Sequence, residues 1–145
     1  MAIKNVFAET TALKEKITNL SVEELAALMP AVETGDALLI DLREIQEVVD
    51  LGTIPGAKHV ARGMLEFWAD PSSPYYREYF EEDRKIVVFC AGGGRSVYAT
   101  LALQDMGFSD VAHLEVGFNG WQKAGGAVLD VAATSKWVRR PKQDN

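Results

Sequence analysis

The chain has 145 residues, 48% hydrophobic and 25% charged, with a formal net charge of −6. These figures exclude a disordered or fibrous chain and suit one globular domain able to bury its own core, while the acidic balance argues against a nucleic-acid binder. The single cysteine excludes an intrachain disulfide, a four-cysteine zinc site, a C-x-x-C redox pair and an iron–sulfur cluster, so Cys90 is either an inert buried thiol or a group that acts alone.

Val6, Thr10, Leu13 and Ile17 recur at helical spacing, which predicts an amphipathic helix over residues 5–16 and a short strand over Ile17 to Leu20. Ser21 and Glu24 form a capping-box pattern, and Val22, Leu25, Met29 and Val32 follow on one face until Gly35-Asp36 ends the helix. Ala37 to Asp41 is a continuous apolar run, the pattern of a strand buried on both faces. Glu44 to Asp50 reads as a short helix, Gly52 to Gly56 as a turn, and Ala57 to Val60 as a strand. Arg62 to Pro74 contains several breakers and reads as irregular, whereas Pro74 suits the first position of a helix carrying Tyr75, Tyr76, Tyr79 and Phe80. Lys85 to Phe89 is the clearest strand, followed by Cys90-Ala-Gly-Gly-Gly-Arg95 and an apolar helix from Ser96 to Met106 closed by Gly107. Val111 to Leu114 is the last strand, and Phe118 to Ala124 a short helix closed by Gly125-Gly126.

Short apolar strands alternate with helices, which predicts an α/β domain whose parallel sheet of about five strands is covered on both faces. No apolar run approaches the roughly 20 residues that span a bilayer. The segment after Met1 lacks the apolar core of a secretory signal, so the expected compartment is a reducing cytoplasm, where a free thiol persists. The basic stretch from Ser135 to Asn145, with Lys136, Arg139, Arg140 and Lys142, reads as a solvated tail rather than a nucleic-acid arm.

Residues 86–96 carry the chemistry. A strand ends, a thiol follows, three glycines come next, and a helix starts. Ligands of open parallel sheets bind beyond the carboxyl ends of the strands. A glycine-rich turn there lets backbone N–H groups converge, and the helix adds its unpaired N–H groups and positive dipole end. The expected result is an anion cradle with Cys90 at its mouth and Arg95 beside it, an environment that favours the nucleophilic thiolate. Neither a P-loop, a dinucleotide fingerprint nor a G-x-S-x-G elbow is present.

With these residues in view, the chain resembles a rhodanese domain over about residues 18–128, between an N-terminal helical extension (1–17) and a C-terminal extension (129–145). The resemblance rests on Leu39-Ile-Asp-Leu-Arg-Glu44, Gly52-Thr-Ile-Pro-Gly-Ala57, Ala61-Arg-Gly-Met64, Val88 through Ser96, Leu103-Gln-Asp-Met-Gly-Phe108 and Leu114-Glu-Val-Gly-Phe-Asn-Gly-Trp121, in that order. It implies the rhodanese fold and a sulfurtransferase. Cys90 would take a sulfane sulfur from a donor such as thiosulfate or a persulfide. It would pass that sulfur to cyanide or a thiol, including a protein thiol, with no cofactor or metal. The N–H groups of Ala91, Gly92, Gly93, Gly94, Arg95 and Ser96 would stabilise the persulfide. The six-residue loop from Cys90 to Arg95 is the size the resemblance ties to sulfur transfer, whereas related phosphatases carry one residue more. A non-catalytic binding or redox-sensing module is the alternative, and a phosphatase is third. The sequence departs from the family pattern at Thr53, where His is usual, and at Val116, where Gly is usual.

Asp41, Arg43, Arg62 and Trp68 are candidate pocket residues. Asp41 either braces the cysteine loop or caps a turn, and Arg43 and Glu44 either line the pocket or form a solvated pair. His59 and His113 fall in or beside strands and read as structural.

Overall fold

The computed structural model describes residues 2–134. The basic tail from Ser135 onwards lies outside the described residues. Among the described residues five strands, β1 (Thr18–Leu20), β2 (Ala37–Asp41), β3 (Lys58–His59), β4 (Lys85–Phe89) and β5 (Val111–Leu114), form one sheet in the order β1-β5-β4-β2-β3. Every pairing is parallel. The helices are α1 (Val6–Leu13), α2 (Val22–Thr34), α3 (Ile45–Leu51), α4 (Leu65–Ala69), α5 (Arg95–Met106), α6 (Gly117–Lys123) and α7 (Val131–Thr134).

The apolar strands make two cores, because successive side chains leave a strand on opposite faces. Leu38, Ile40, Ile86 and Val88 pack on one face against Leu65 and Ala69 of α4 and Ala99 and Leu103 of α5. Leu39, Val87 and Phe89 pack on the other face against Leu25 and Val32 of α2 and Phe118 and Trp121 of α6. The short, non-alternating strands therefore sit in a parallel sheet covered on both faces.

Two local expectations are corrected. Residues 74–80 are turns, not a helix. Asp70 accepts the Ser72 N–H at 2.8 Å and Ser73 Oγ accepts the Tyr75 N–H at 3.0 Å. Such side-chain bonds offer the backbone an alternative to the helical ladder. The segment then folds back so that Phe80 enters the first core. Conversely, the stretch read as irregular contains a 3-10 turn (Arg62–Met64) and α4. Burial of Leu65 and Ala69, one turn apart, stabilises that helix despite its flanking breakers.

The register sets the site. Asp41 pairs with Phe89, so β2 and β4 end level. The chain leaves β2 towards β3 and leaves β4 towards β5, in opposite directions along the sheet. This divergence opens a crevice at the carboxyl ends of β2 and β4, the switch point where open α/β sheets bind ligands. Cys90 is the first residue beyond β4.

Candidate active site

The Cys90 side chain is buried at the base of this crevice. Its Sγ accepts the Gly93 N–H at 3.2 Å, and its thiol lies 3.6 Å from the Ser96 Oγ to which it donates. The turn is possible because Gly93 takes φ +97°, and a Cβ there would collide with the Glu115 carbonyl oxygen. Gly92 and Gly94 face open space and are not held to a left-handed conformation.

The far side of the loop is fastened to α6. Phe118 N–H donates to the Cys90 carbonyl at 2.8 Å and Asn119 N–H to the Ala91 carbonyl at 3.0 Å. First-turn N–H groups without intrahelical partners thus hold the loop's own carbonyls. Val116 is accommodated by Gly120, where a Cβ would run into the Val116 side chain.

Arg95, the first residue of α5, forms a two-pronged ion pair with Glu47 of α3, at 2.8 and 3.0 Å. Arg95 holds the Glu47 carboxyl below its ordinary pKa. Glu47 in turn raises that of Arg95, and the neighbouring Cys90 adds a smaller effect in the same direction. The arginine therefore stays charged, with its charge largely shared with Glu47.

Behind the thiol runs a chain of hydrogen bonds that sequence reasoning did not find. Asn19 donates its amide protons to the carbonyls of Lys14 at 2.8 Å and Ile17 at 3.2 Å. Its Oδ1 therefore accepts from His113 Nε2, 2.6 Å away. That leaves His113 Nδ1 as the acceptor for the Ser96 hydroxyl at 2.8 Å. Ser96 Oγ then turns a lone pair towards Cys90. Burial, with the Lys14 charge as a lesser cause, pushes the His113 pKa down to about 4, so the imidazole is neutral at pH 7. One lone histidine in a strand carries no spacing signal. Only the β4–β5 register, which sets His113 opposite Val88, brings it behind the cysteine loop.

The four candidate pocket residues lie elsewhere. Asp41 accepts the Arg43 N–H at 3.1 Å, the Arg43 guanidinium at 3.0 and 2.8 Å and the Thr53 hydroxyl at 2.7 Å. It thus caps a turn and pairs with Arg43, and Thr53 completes the arrangement. Arg43 is fully buried over the Phe118 ring, 4.1 Å from its centroid, so it makes no solvated pair with Glu44. Arg43 Nη2 also donates to the Gly52 carbonyl at 2.6 Å, while its buried Nη1 has no hydrogen-bond partner among the described residues. Arg62 pairs with Glu66 at 2.7 Å. Trp68 packs on the first core beneath the Arg77 guanidinium, 4.2 Å from its ring centroid. His59 Nε2 bonds the Arg43 carbonyl at 2.7 Å.

A cavity of about 430 Å³ opens beside Cys90. The loop glycines, Arg95 and Tyr98 form one side, while Val6, Phe7, Thr10, Thr11 and Lys14 form the other. Asp41, Arg43, Arg62 and Trp68 are not part of its lining. A larger cavity of about 620 Å³ lies between residues 69–82 and the end of α5, shares no residue with this one and is not lined by a thiol.

The arrangement places a buried thiol, a donor N–H and a shared cation under an open cavity. The chain is similar to several other proteins. A Rhodopseudomonas palustris protein of unknown function, described as a possible tyrosine phosphatase, has a structure that matches with TM-score 0.81 at 40% identity, covering 89% of this chain and 97% of that one. The Bacillus subtilis protein named "Putative sulfurtransferase YtwF" is 34% identical over 98 residues, 67% of this chain and 85% of that protein. A sulfurtransferase of Allochromatium vinosum is 29% identical over 93 residues, 64% of this chain and 78% of that protein. The model of the rhodanese-like domain matches residues 21–124. The chain therefore belongs to the rhodanese-like domain family.

Proposed function

We propose that the protein is a sulfurtransferase that carries a sulfane sulfur on Cys90, with residues 18–128 as its catalytic unit. The observation that supports this best is the Cys90 Sγ at the base of an open cavity, accepting the Gly93 N–H within a loop whose interior has no side-chain charge. Four residues separate Cys90 from Arg95, a loop suited to a group of sulfur size.

The Cys90 thiolate attacks the outer sulfur of the donor. A new S–S bond forms and the donor's own sulfur–sulfur bond breaks, its electron pair leaving with the donor remnant, sulfite in the case of thiosulfate. The terminal sulfur of the persulfide carries the negative charge, which the loop N–H groups stabilise as an oxyanion hole stabilises oxygen. An acceptor thiolate or cyanide then attacks that terminal sulfur, and Cys90 departs as thiolate. With one cysteine in the chain, the acceptor comes from outside it.

Intact mass spectrometry tests this reading. After thiosulfate or a persulfide donor, the wild type gains the mass of one sulfur atom and loses it on adding cyanide, and Cys90→Ser gains none. A wild type that takes up no sulfur from either donor overturns the reading. The name of the R. palustris relative favours a second one, Cys90-dependent phosphate-ester hydrolysis. Hydrolysis of an aryl phosphate, lost in Cys90→Ser and without sulfur uptake, would establish it instead.

A further inference from the structure

The cavity beside Cys90 is larger than its proposed chemistry requires. Its volume of about 430 Å³ falls in the range of sites that enclose small organic ligands. A transferred sulfur atom fills only the base.

The outer wall comes from the N-terminal segment. Val6, Phe7, Thr10, Thr11 and Lys14 stand at i, i+1, i+4, i+5 and i+8, so α1 and the turn after it present one helical face to the cavity. Other contacts hold that face in place. Asn5 caps α1 by accepting the N–H groups of Phe7 and Ala8 at 3.1 and 3.0 Å. Tyr98 of α5 donates its hydroxyl to Glu9 at 2.7 Å. Asn19 grips the Lys14 and Ile17 carbonyls behind the turn.

The face has two chemistries. Phe7 is 76% exposed and Val6 47% exposed, so apolar surface lies at the rim, on a cavity wall. At the other end stands Lys14, whose ammonium is 3.9 Å from Glu115. The other lining cation, Arg95, is held in two hydrogen bonds by Glu47. An anionic group entering this cavity therefore meets Lys14 and the loop N–H groups, and a carbon body attached to it meets Val6 and Phe7.

We propose that α1 and the following turn form a donor subsite, in which Val6 and Phe7 receive the carbon body of an organic sulfane-sulfur donor and Lys14 receives its anionic group. This rests on the sulfurtransferase reading and names the substrate class of the same site. For an organic thiosulfonate, the Cys90 thiolate takes the outer sulfur. The sulfur–sulfur bond breaks towards the sulfonyl group, and an organic sulfinate leaves with the electron pair. Charge and atoms balance with no added oxidant or reductant. An organic persulfide reacts in the same way and releases a thiolate.

Benzenethiosulfonate and inorganic thiosulfate are the probes, since both donate a sulfane sulfur and only one carries a ring. The readout is the ratio of kcat/KM for loading Cys90 from the two donors, followed by mass and by release of sulfinate or sulfite. A third arm with a small alkyl persulfide distinguishes the two organic sources. The wild type is expected to prefer the aromatic donor by tenfold or more. Phe7→Ala and Val6→Ala each lower that ratio by roughly fivefold, the effect of losing part of an apolar contact. Phe7→Leu restores most of it, and Ile3→Ala, at a residue outside the cavity, leaves it unchanged. Phe7 is too exposed for its substitution to unfold the chain. A wild type without preference, or a ratio that Phe7→Ala and Val6→Ala do not move, overturns the subsite while leaving sulfur transfer intact. If those variants instead slow transfer only to a reduced protein thiol, the rim is a protein-docking face and the subsite is again overturned. Loading from none of the three donors overturns the sulfurtransferase reading and the subsite with it.

Discussion

Among the three loop glycines, the backbone singles out one. Gly93 combines φ +97° with the Glu115 carbonyl where a Cβ would stand, whereas Gly92 and Gly94 have room for one. Gly93 also supplies the N–H that reaches Cys90 Sγ. Gly93→Ala is therefore expected to cost about 2 kcal/mol of stability and to lower sulfur loading more than tenfold. Gly92→Ala should stay within about 0.5 kcal/mol of wild type. Urea denaturation midpoints check the two stabilities, and the loading rate of Gly93→Ala checks the effect on sulfur uptake. Equal destabilisation by both substitutions would refute the distinction.

Helix ends and helix faces organise the site at the next scale. The first turn of α6 holds the loop carbonyls, the start of α5 supplies Arg95, and α3 supplies the Glu47 that anchors it. The outer element, α1, has few apolar anchors. Of its residues only Thr10 is buried, and its contact with α5 runs through the Tyr98–Glu9 hydrogen bond and Lys4 beside both. An element held mainly by exposed polar contacts opens more easily than the sheet. Tyr98→Phe should therefore speed amide hydrogen exchange over residues 6–13 and leave the amides of β2 and β4 unchanged. Uniform acceleration in both regions would mean that Tyr98 supports the whole fold rather than the docking of α1.

At the scale of the molecule, buried polar groups tie stability to pH. His113 titrates near 4 in the folded chain against an ordinary value of 6.5, so below pH 6.5 the unfolded chain binds the proton more readily. Its contribution is fully present above pH 6.5 and is lost as pH falls to about 4. The depressed Glu47 carboxyl acts in the same sense lower down. Its contribution is present above 4.5 and lost as pH falls through its folded value. Thermal midpoints should begin to fall near pH 6.5, before ordinary carboxylates titrate. His113→Gln should flatten the limb between pH 6.5 and 4, even if its midpoint at pH 8 is lower. An unchanged slope in that window would show that His113 does not control it.

What depends on neighbours along the chain was legible before the fold. The capping box at Ser21 and Glu24, the doubly buried strands 37–41 and 85–89, the glycine stop at Gly107 and the strand–Cys–glycine–helix order around Cys90 are all short-range patterns, and each appears in the fold. What depends on which strand lies beside which emerged with the sheet order. The β4–β5 register sets His113 behind Ser96, the level ends of β2 and β4 open the crevice, and the packing of α1 against α5 brings Phe7 and Lys14 to the cavity. The misread stretch from Arg62 to Phe80 has the same cause. Its helix forms where Leu65 and Ala69 find a core and fails where Asp70 and Ser73 bond their own backbone. Local propensity is a sum over adjacent residues. A functional cavity is made by side chains far apart in the chain, and their meeting is an outcome of sheet order that no window of sequence contains.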